Sequence, residues 1–300
     1  MLHRRSSLPI CLAALLLALS FTSMATAAPT TGPAGFLDDL DAAVAQAKEQ
    51  DAPILLSLYA TWCGWCRKLD NEVFPSEAFR AFAGEQKFVM VRLDTEDGAS
   101  GSAMKERYET SGVPNTLVLD PNMVKIAHVN GYAPPTQMVA HIGNQLDAWT
   151  TIVHHFPKVL EGDDVALQQQ MARDLYQRGD GDRASQLFER LLTGVEKGTD
   201  GQAWLTYLAA DAHRLAGRYD RAGTLVAESR KMLGRLANPE ALPALREQVD
   251  LLSFYIAQDQ GNCPQAVDSL ETFLSAHPKS TMRPALERAL DRLKQDAACA

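Results

Sequence analysis

The sequence predicts an α/β domain, with a mixed sheet flanked by helices, followed by an all-α helical-repeat region. Three observations carry this. Up to Trp149, short apolar runs alternate with amphipathic segments, the order expected when strands are joined through helices. The turn Asp120-Pro121-Asn122 is too short for a crossover, so it forces one antiparallel pair at the side of the sheet. Beyond Trp149 no convincing strand occurs, and a Gly-to-Ala step of five residues recurs among segments with helical spacing.

Residues 1–27 open with His3, Arg4 and Arg5, pass through an apolar stretch over residues 8–21, and finish at Ala25-Thr26-Ala27. That is the pattern of a cleaved export signal. The run over residues 10–19 falls short of the roughly 20 apolar residues that cross a bilayer, which weighs against an anchor. Ser6-Ser7 after the arginines favours the general secretory route over twin-arginine export, and Pro9-Ile10 before Cys11 disfavours a lipoprotein. The expected location is therefore periplasmic or secreted, with residues 28–35 as a linker. The formal charge of −8 becomes −10 once Arg4 and Arg5 leave with the signal, and such a surface repels nucleic acid. Four of the five cysteines remain, in a setting where thiols tend towards disulfides.

Within residues 36–149 the elements follow in order. Phe36, Leu37, Leu40, Val44 and Ala47 predict a helix over 36–50, ended by Asp51-Ala52-Pro53. A buried strand is predicted over 54–59 and a motif helix from there to about residue 73. A short helix over 76–83, a strand over 88–93 and a helix over 103–109 come next. After Gly112-Val113-Pro114, strands over 116–119 and 124–129 flank the tight turn, and a helix over 137–149 closes the set. Residues 150–162, with His154-His155, read as a linker, and 163–300 as the helical region.

The segment "YATWCGWCRK" places Cys63 and Cys66 where the first strand ends and a helix begins. Unpaired amides and the macrodipole at a helix N-terminus favour an anion, so Cys63 should ionise readily and act as the nucleophile. Arg67 adds positive charge one turn on, and Cys66 sits deeper, placed to resolve a bond made by Cys63. Gly64 permits the tight helix start, and with Trp65 it covers the pair from one side. Other uses of the motif fit less well. Structural zinc wants four ligands, and the next cysteine is about two hundred residues away. Haem attachment needs a histidine where Arg67 stands. A permanent crosslink over so short a loop would stabilise little. No metal or organic cofactor is expected beyond the cysteine pair.

Trp62-Cys63-x-x-Cys66 after a strand, with Val113-Pro114 some fifty residues later ahead of a strand hairpin, resembles the thioredoxin superfamily over residues 36–149. The resemblance implies a cis bond at Pro114 facing the cysteines, and a docking edge for an extended substrate formed by Trp62, Gly64, Trp65 and Val113. Two positions depart from thioredoxin itself. Ser57 stands where that family carries a buried aspartate, and Met90 where it carries a lysine. Proton removal from Cys66 then falls to another group, and Asp70, at i+4, is the candidate. An acid in the motif helix and the extra segment over 74–79 are closer to the exported thioredoxin domains of DsbD-type reductant carriers. That likeness implies a reducing role with electrons delivered by a thiol protein at the membrane, acting on protein disulfide substrates.

Past Trp149, seven helices are expected around Leu167, Leu187, Leu205, Leu225, Leu245, Val267 and Leu286. Gly179 and Ala184, Gly217 and Ala222, and Gly261 and Ala266 mark steps like those of tetratricopeptide repeats, at looser intervals than usual. Such an array would offer a concave face to a protein partner or substrate; the plainer alternative is a scaffold that caps the first domain. Cys263 and Cys299 are expected to meet in a structural disulfide closing about 36 residues, contributing on the order of 3 to 4 kcal/mol. The functional expectation is an exported thiol-disulfide oxidoreductase. The alternatives are a non-catalytic adaptor with a redox switch, and an oxidase or isomerase running the same chemistry the other way.

Overall fold

The computed structural model describes residue 33 and residues 35–235 and 242–295. The signal-segment reading, most of the 28–35 linker and Cys299 lie outside the described residues. Among the described residues, no helix is long and apolar enough to cross a membrane.

Five strands form one sheet in the order β1 (Phe36–Leu37), β3 (Val89–Asp94), β2 (Ile54–Tyr59), β4 (Asn115–Leu119) and β5 (Lys125–Asn130). β1, β3 and β2 are parallel; β4 runs antiparallel to β2, and β5 antiparallel to β4. Alternate side chains of β2 feed opposite cores, as period-two geometry requires. Ile54, Leu56 and Leu58 pack with Ala43 and Ala47 of α1 (Leu40–Gln50) and Met104 of α4 (Ser100–Arg107). Leu55 faces Leu69, Val73, Phe79 of α3 (Glu77–Gln86), and Met138 and Ile142 of α5 (Pro135–Glu161).

Three sequence expectations change. Phe36 and Leu37 do not open α1 but pair with Met90 and Val91 as an edge strand. The Asp39 side chain accepts the Ala42 amide, which starts the helix at Leu40. The motif helix is α2 (Gly64–Lys68) continued by a π-helical turn, Leu69–Val73, in which the Phe74 amide reaches the Leu69 carbonyl. Residues 150–162 are no loop, because α5 continues through Glu161 with Pro157 inside it. The reason is apolar spacing: Met138 and Ile142 belong to the sheet's core, Phe156 and Val159 to the helical core, and Trp149 touches both. One helix thus serves two cores.

The seven expected helices are α6 (Val165–Gln177), α7 (Gly181–Leu192), α8 (Asp200–Leu215), α9 (Tyr219–Leu233), α10 (Pro243–Asp259), α11 (Cys263–Ala276) and α12 (Arg283–Gln295), each packed on the next. Gly179, Gly217 and Gly261 take left-handed φ of 81°, 71° and 67° where helices end, and the alanines five residues on are buried. α6 also closes the free edge of β5. The Lys125 amide donates to the Arg178 carbonyl at 2.8 Å, and the Arg178 guanidinium donates to the Ile126 carbonyl at 3.1 Å. Further along, the Gln145 side chain exchanges two 3.0 Å bonds with the His128 backbone. An edge satisfied in this way offers no template for another strand.

Candidate active site

β2 delivers the chain to the cysteines at one end of the sheet, and the contact with α6 at Lys125 lies at the other. The register settles this, since β4 pairs Asn115 with Leu58 near the cysteine end and Leu119 with Ile54 at the far end. Cys63 is the N-cap of α2, in extended conformation, and its sulfur accepts the Cys66 amide at 3.0 Å. The two sulfurs are joined, with Cα atoms 5.3 Å apart. Ala60 packs with the pair, and Tyr59 and Val113 close over it.

Exposure does not separate the two cysteines, at 3% for Cys63 and 2% for Cys66, so the expected contrast of an open and an enclosed sulfur is absent in the disulfide form. Position still distinguishes them. Cys63 sits at the helix end, where amide dipoles favour a thiolate, and Cys66 in the first turn beyond it. A methyl on Gly64 would meet only Arg67 Nη2 at 3.8 Å, so the tight start does not demand glycine. Arg67 is exposed, and its Nη1 donates to the Thr61 carbonyl at 3.1 Å, bracing the loop ahead of the cysteines.

Two exposed tryptophans flank the pair, Trp62 at 65% and Trp65 at 59%. Neither is loose. Trp62 Nε1 donates to Glu96 at 2.9 Å, and the Trp65 ring lies 5.6 Å from that of Tyr132. Lys68 Nζ stands 5.4 Å and 4.7 Å from those two ring centres, and the Tyr132 hydroxyl donates to Glu72 at 2.8 Å.

The bond from Val113 to buried Pro114 is cis. Asn115 holds this loop from below, with Nδ2 donating to the Gly112 carbonyl at 2.9 Å and Oδ1 lying 2.7 Å from His128 Nε2. Burial, aided by the Lys125 charge, pushes the His128 pKa down, which suits a neutral ring donating through Nε2. Asn115 and His128 were not legible as site residues, although an asparagine directly after Pro114 in an apolar strand was a usable signal.

Asp70 does not stand free. Its carboxylate is bonded to Arg92 of β3 at 2.7 Å, and burial raises its pKa against the lowering effect of that guanidinium. Ser57 is buried between Arg92 and Thr116 in the strand register. Cys263 opens α11, and the proposed bridge to Cys299 falls outside the described residues. Among the described residues no cluster of three or more His, Cys, Asp or Glu side chains is arranged to hold a metal ion. A cavity of about 510 Å³ between Lys125, Tyr176 and Arg214 lies at the sheet end away from the sulfurs.

Residues 35–121 match the family model described as thioredoxin-like. In sequence, the chain is similar to the thiol:disulfide interchange protein DsbD of Cronobacter sakazakii, 32% identical over 132 residues, covering 43% of this chain and 20% of that one. DsbD of Yersinia enterocolitica is 30% identical over 111 residues, covering 36% and 18%. The chain thus spans about a fifth of the length of these relatives. Among solved structures, a DsbH oxidoreductase aligns with a TM-score of 0.33 at 22% identity, covering 40% of this chain and 92% of that one. The oxidised C-terminal domain of Neisseria meningitidis DsbD aligns with a TM-score of 0.32 at 17% identity, covering 37% and 98%. Mixed sheet, cysteine helix and sequence similarity together show a thioredoxin-like domain around residues 35–121, with DsbD proteins among its relatives.

Proposed function

We propose that the protein is an exported thiol-disulfide oxidoreductase, periplasmic or secreted, that reduces disulfides in other proteins. The observation that carries this reading is the sulfur of Cys63 at the start of α2, within reach of a backbone amide and bonded to Cys66. In the dithiol form the Cys63 thiolate attacks one sulfur of a substrate disulfide, and the other substrate sulfur leaves as a thiolate. Cys66 gives up its proton, with Asp70 as acceptor, and attacks Cys63. The substrate sulfur that Cys63 had bonded leaves as a thiolate, and the enzyme is left as the disulfide. An electron-donating thiol protein, membrane-bound in the DsbD arrangement, restores the dithiol. No further cofactor takes part.

Trp62, Trp65 and Val113 form the docking rim, beside Gly64 and Pro114. Held aromatic side chains lose little freedom on binding, which favours them as anchors. The helices after Glu161, read as tetratricopeptide-like, hold a protein partner or substrate, and a Cys263–Cys299 bridge fastens their end. The substitution Cys66→Ser tests the chemistry, because substrates should accumulate as mixed disulfides on Cys63. Trapping on Cys263 instead would refute the assignment. Absence of insulin turnover with dithiothreitol in the unsubstituted protein would favour the adaptor reading.

A further inference from the structure

The cavity at the sheet end away from the sulfurs has a volume of about 510 Å³, within the size range of small-molecule sites. Its walls come from both halves of the molecule: the end of α4 and the start of β5 on one side, the ends of α6 and α8 on the other. Four cations line it, Arg107, Lys125, Arg178 and Arg214, against two carboxylates, Glu109 and Asp211. That excess of positive charge runs counter to a chain whose formal charge is −8.

Two of the four cations are accounted for by packing. Arg214 pairs with Asp211 and Asp259, each at 2.6 Å, and Asp211 also accepts from the Tyr176 hydroxyl. Arg178 pairs with Asp174 at 3.0 Å and donates to the Ile126 carbonyl at 3.1 Å. Lys125 and Arg107 differ. Among the described residues, neither side chain forms an ion pair or donates a hydrogen bond. Lys125 is partly buried, and that burial, followed by the Arg178 charge, pushes its pKa down while Glu109 attracts it from beyond ion-pair distance. Arg107 is exposed, its guanidinium 5.6 Å from the centre of the Tyr108 ring. A partly desolvated ammonium beside a second cation costs stability, and an anion placed among them would offset that cost.

We propose that this cavity binds a small oxyanion of two or more charges, carrying carboxylate or phosphate groups, with Lys125 and Arg107 as its counter-charges. A monoanion would neutralise one of these two cations, whereas a dianion neutralises both. The positive lining repels metal ions, and two charged side chains without counter-ions give a purely apolar ligand no advantage. The site does not depend on the redox reading of Cys63 and Cys66. Because its walls belong to both halves, a bound anion would also bridge them.

Titration calorimetry on the full chain in its disulfide form, at low salt, tests this with sodium pyrophosphate, citrate and chloride as probes, and thermal melting is read in parallel. One site per chain should appear for pyrophosphate, citrate or both, with a Kd at or below about 1 mM that weakens as salt is raised. Chloride at matched ionic strength should not compete. Binding of citrate alone would identify a carboxylate ligand, and of pyrophosphate alone a phosphate. Lys125→Met and Arg107→Ala should each weaken binding about tenfold, the loss expected when one charged partner is removed. Lys279→Met, at an exposed lysine outside the cavity, should leave the Kd within about twofold. Should Lys125→Met fail to fold, Arg107→Glu, at an exposed position, is read instead and should abolish binding. No binding and no rise in melting temperature with either polyanion at about 10 mM, or a Kd unchanged in the Lys125 and Arg107 variants, would overturn the proposal.

Discussion

The two halves of the molecule use charge differently. Among the described residues, the thioredoxin-like half holds two ion pairs, Lys68–Glu72 and Asp70–Arg92, and both involve the helix that carries the cysteines or its π-helical continuation. In the helical half, besides local pairs such as Arg178–Asp174, several ion pairs run from one helix to another: Arg214 of α8 to Asp259 of α10, Arg218 to Asp182 of α7, and Arg230 of α9 to Asp250 of α10. Exposed pairs contribute little stability, but a chain of them fixes how successive helices register. Charge in the helices serves packing, whereas in the first half it gathers with two exposed tryptophans at the cysteine pole. That concentration marks where chemistry belongs.

The sharpest way to break this contrast is Cys63→Ser. Insulin turnover should fall by at least about a thousandfold, because no other described sulfur can replace the nucleophile at the helix start. Turnover above about a tenth of normal would move the chemistry elsewhere. Next in size are two glycines, one in each half. A Cβ on Gly101 would lie 1.9 Å from the Asp94 carbonyl oxygen, and one on Gly181 would lie 2.4 Å from that of Ala212. Either substitution to alanine should cost roughly 3 kcal/mol or more, since backbone must move. Thermal melting with hydrogen exchange would show whether Gly101→Ala loosens α4 and β3 alone and Gly181→Ala loosens α7 and α8 alone. Loss of both halves together would mean that the shared helix α5 couples them into one folding unit.

A smaller effect is expected at Asn115→Ala, which leaves the Gly112 carbonyl and His128 Nε2 without their partner. About 1 to 3 kcal/mol should be lost, together with a rise in KM for substrate as the Val113–Pro114 loop slackens. An unchanged KM would detach that loop from substrate docking. The smallest effect concerns acid. Burial holds the His213 pKa below its ordinary value, against the pull of Glu189, while its Nδ1 accepts from Arg218 at 2.8 Å. The unfolded chain therefore takes up the proton first as pH falls, so this stabilisation is complete above about pH 6.5 and lost below it. His213→Asn should flatten the acid-side loss of melting temperature; a curve of the same steepness would remove His213 as its source.

Much of the fold was legible because it rests on local periodicity. Ile54 to Tyr59, the paired strands around Asp120-Pro121-Asn122, and the helices marked by Gly179, Gly217 and Gly261 all announce themselves within a few residues. What escaped was decided by contacts distant in sequence. Phe36 and Leu37 have helical spacing yet become a strand because the edge of β3 was free to take them. Residues 150–162 look like a linker until two cores are seen to share α5. Of the site, the cysteines, tryptophans and the Val113–Pro114 loop could be read directly, and Asp70 could be named as an acid one turn away. Arg92, Tyr59, Asn115 and His128 could not, since each matters only through what the sheet register sets beside it.

By itself, then, the amino-acid order determined that a cysteine pair would open a helix after a buried strand, and that helices would follow. Both are matters of spacing along one chain, enforced by backbone geometry over a turn or two. Only the tertiary structure decided that a guanidinium from β3 would lie against the Tyr59 ring with Asp70 as its partner, and that α6 would close the far end of the sheet. Strand order and burial bring those groups together, and buried charge acquires its strength only once the surrounding fold has excluded water.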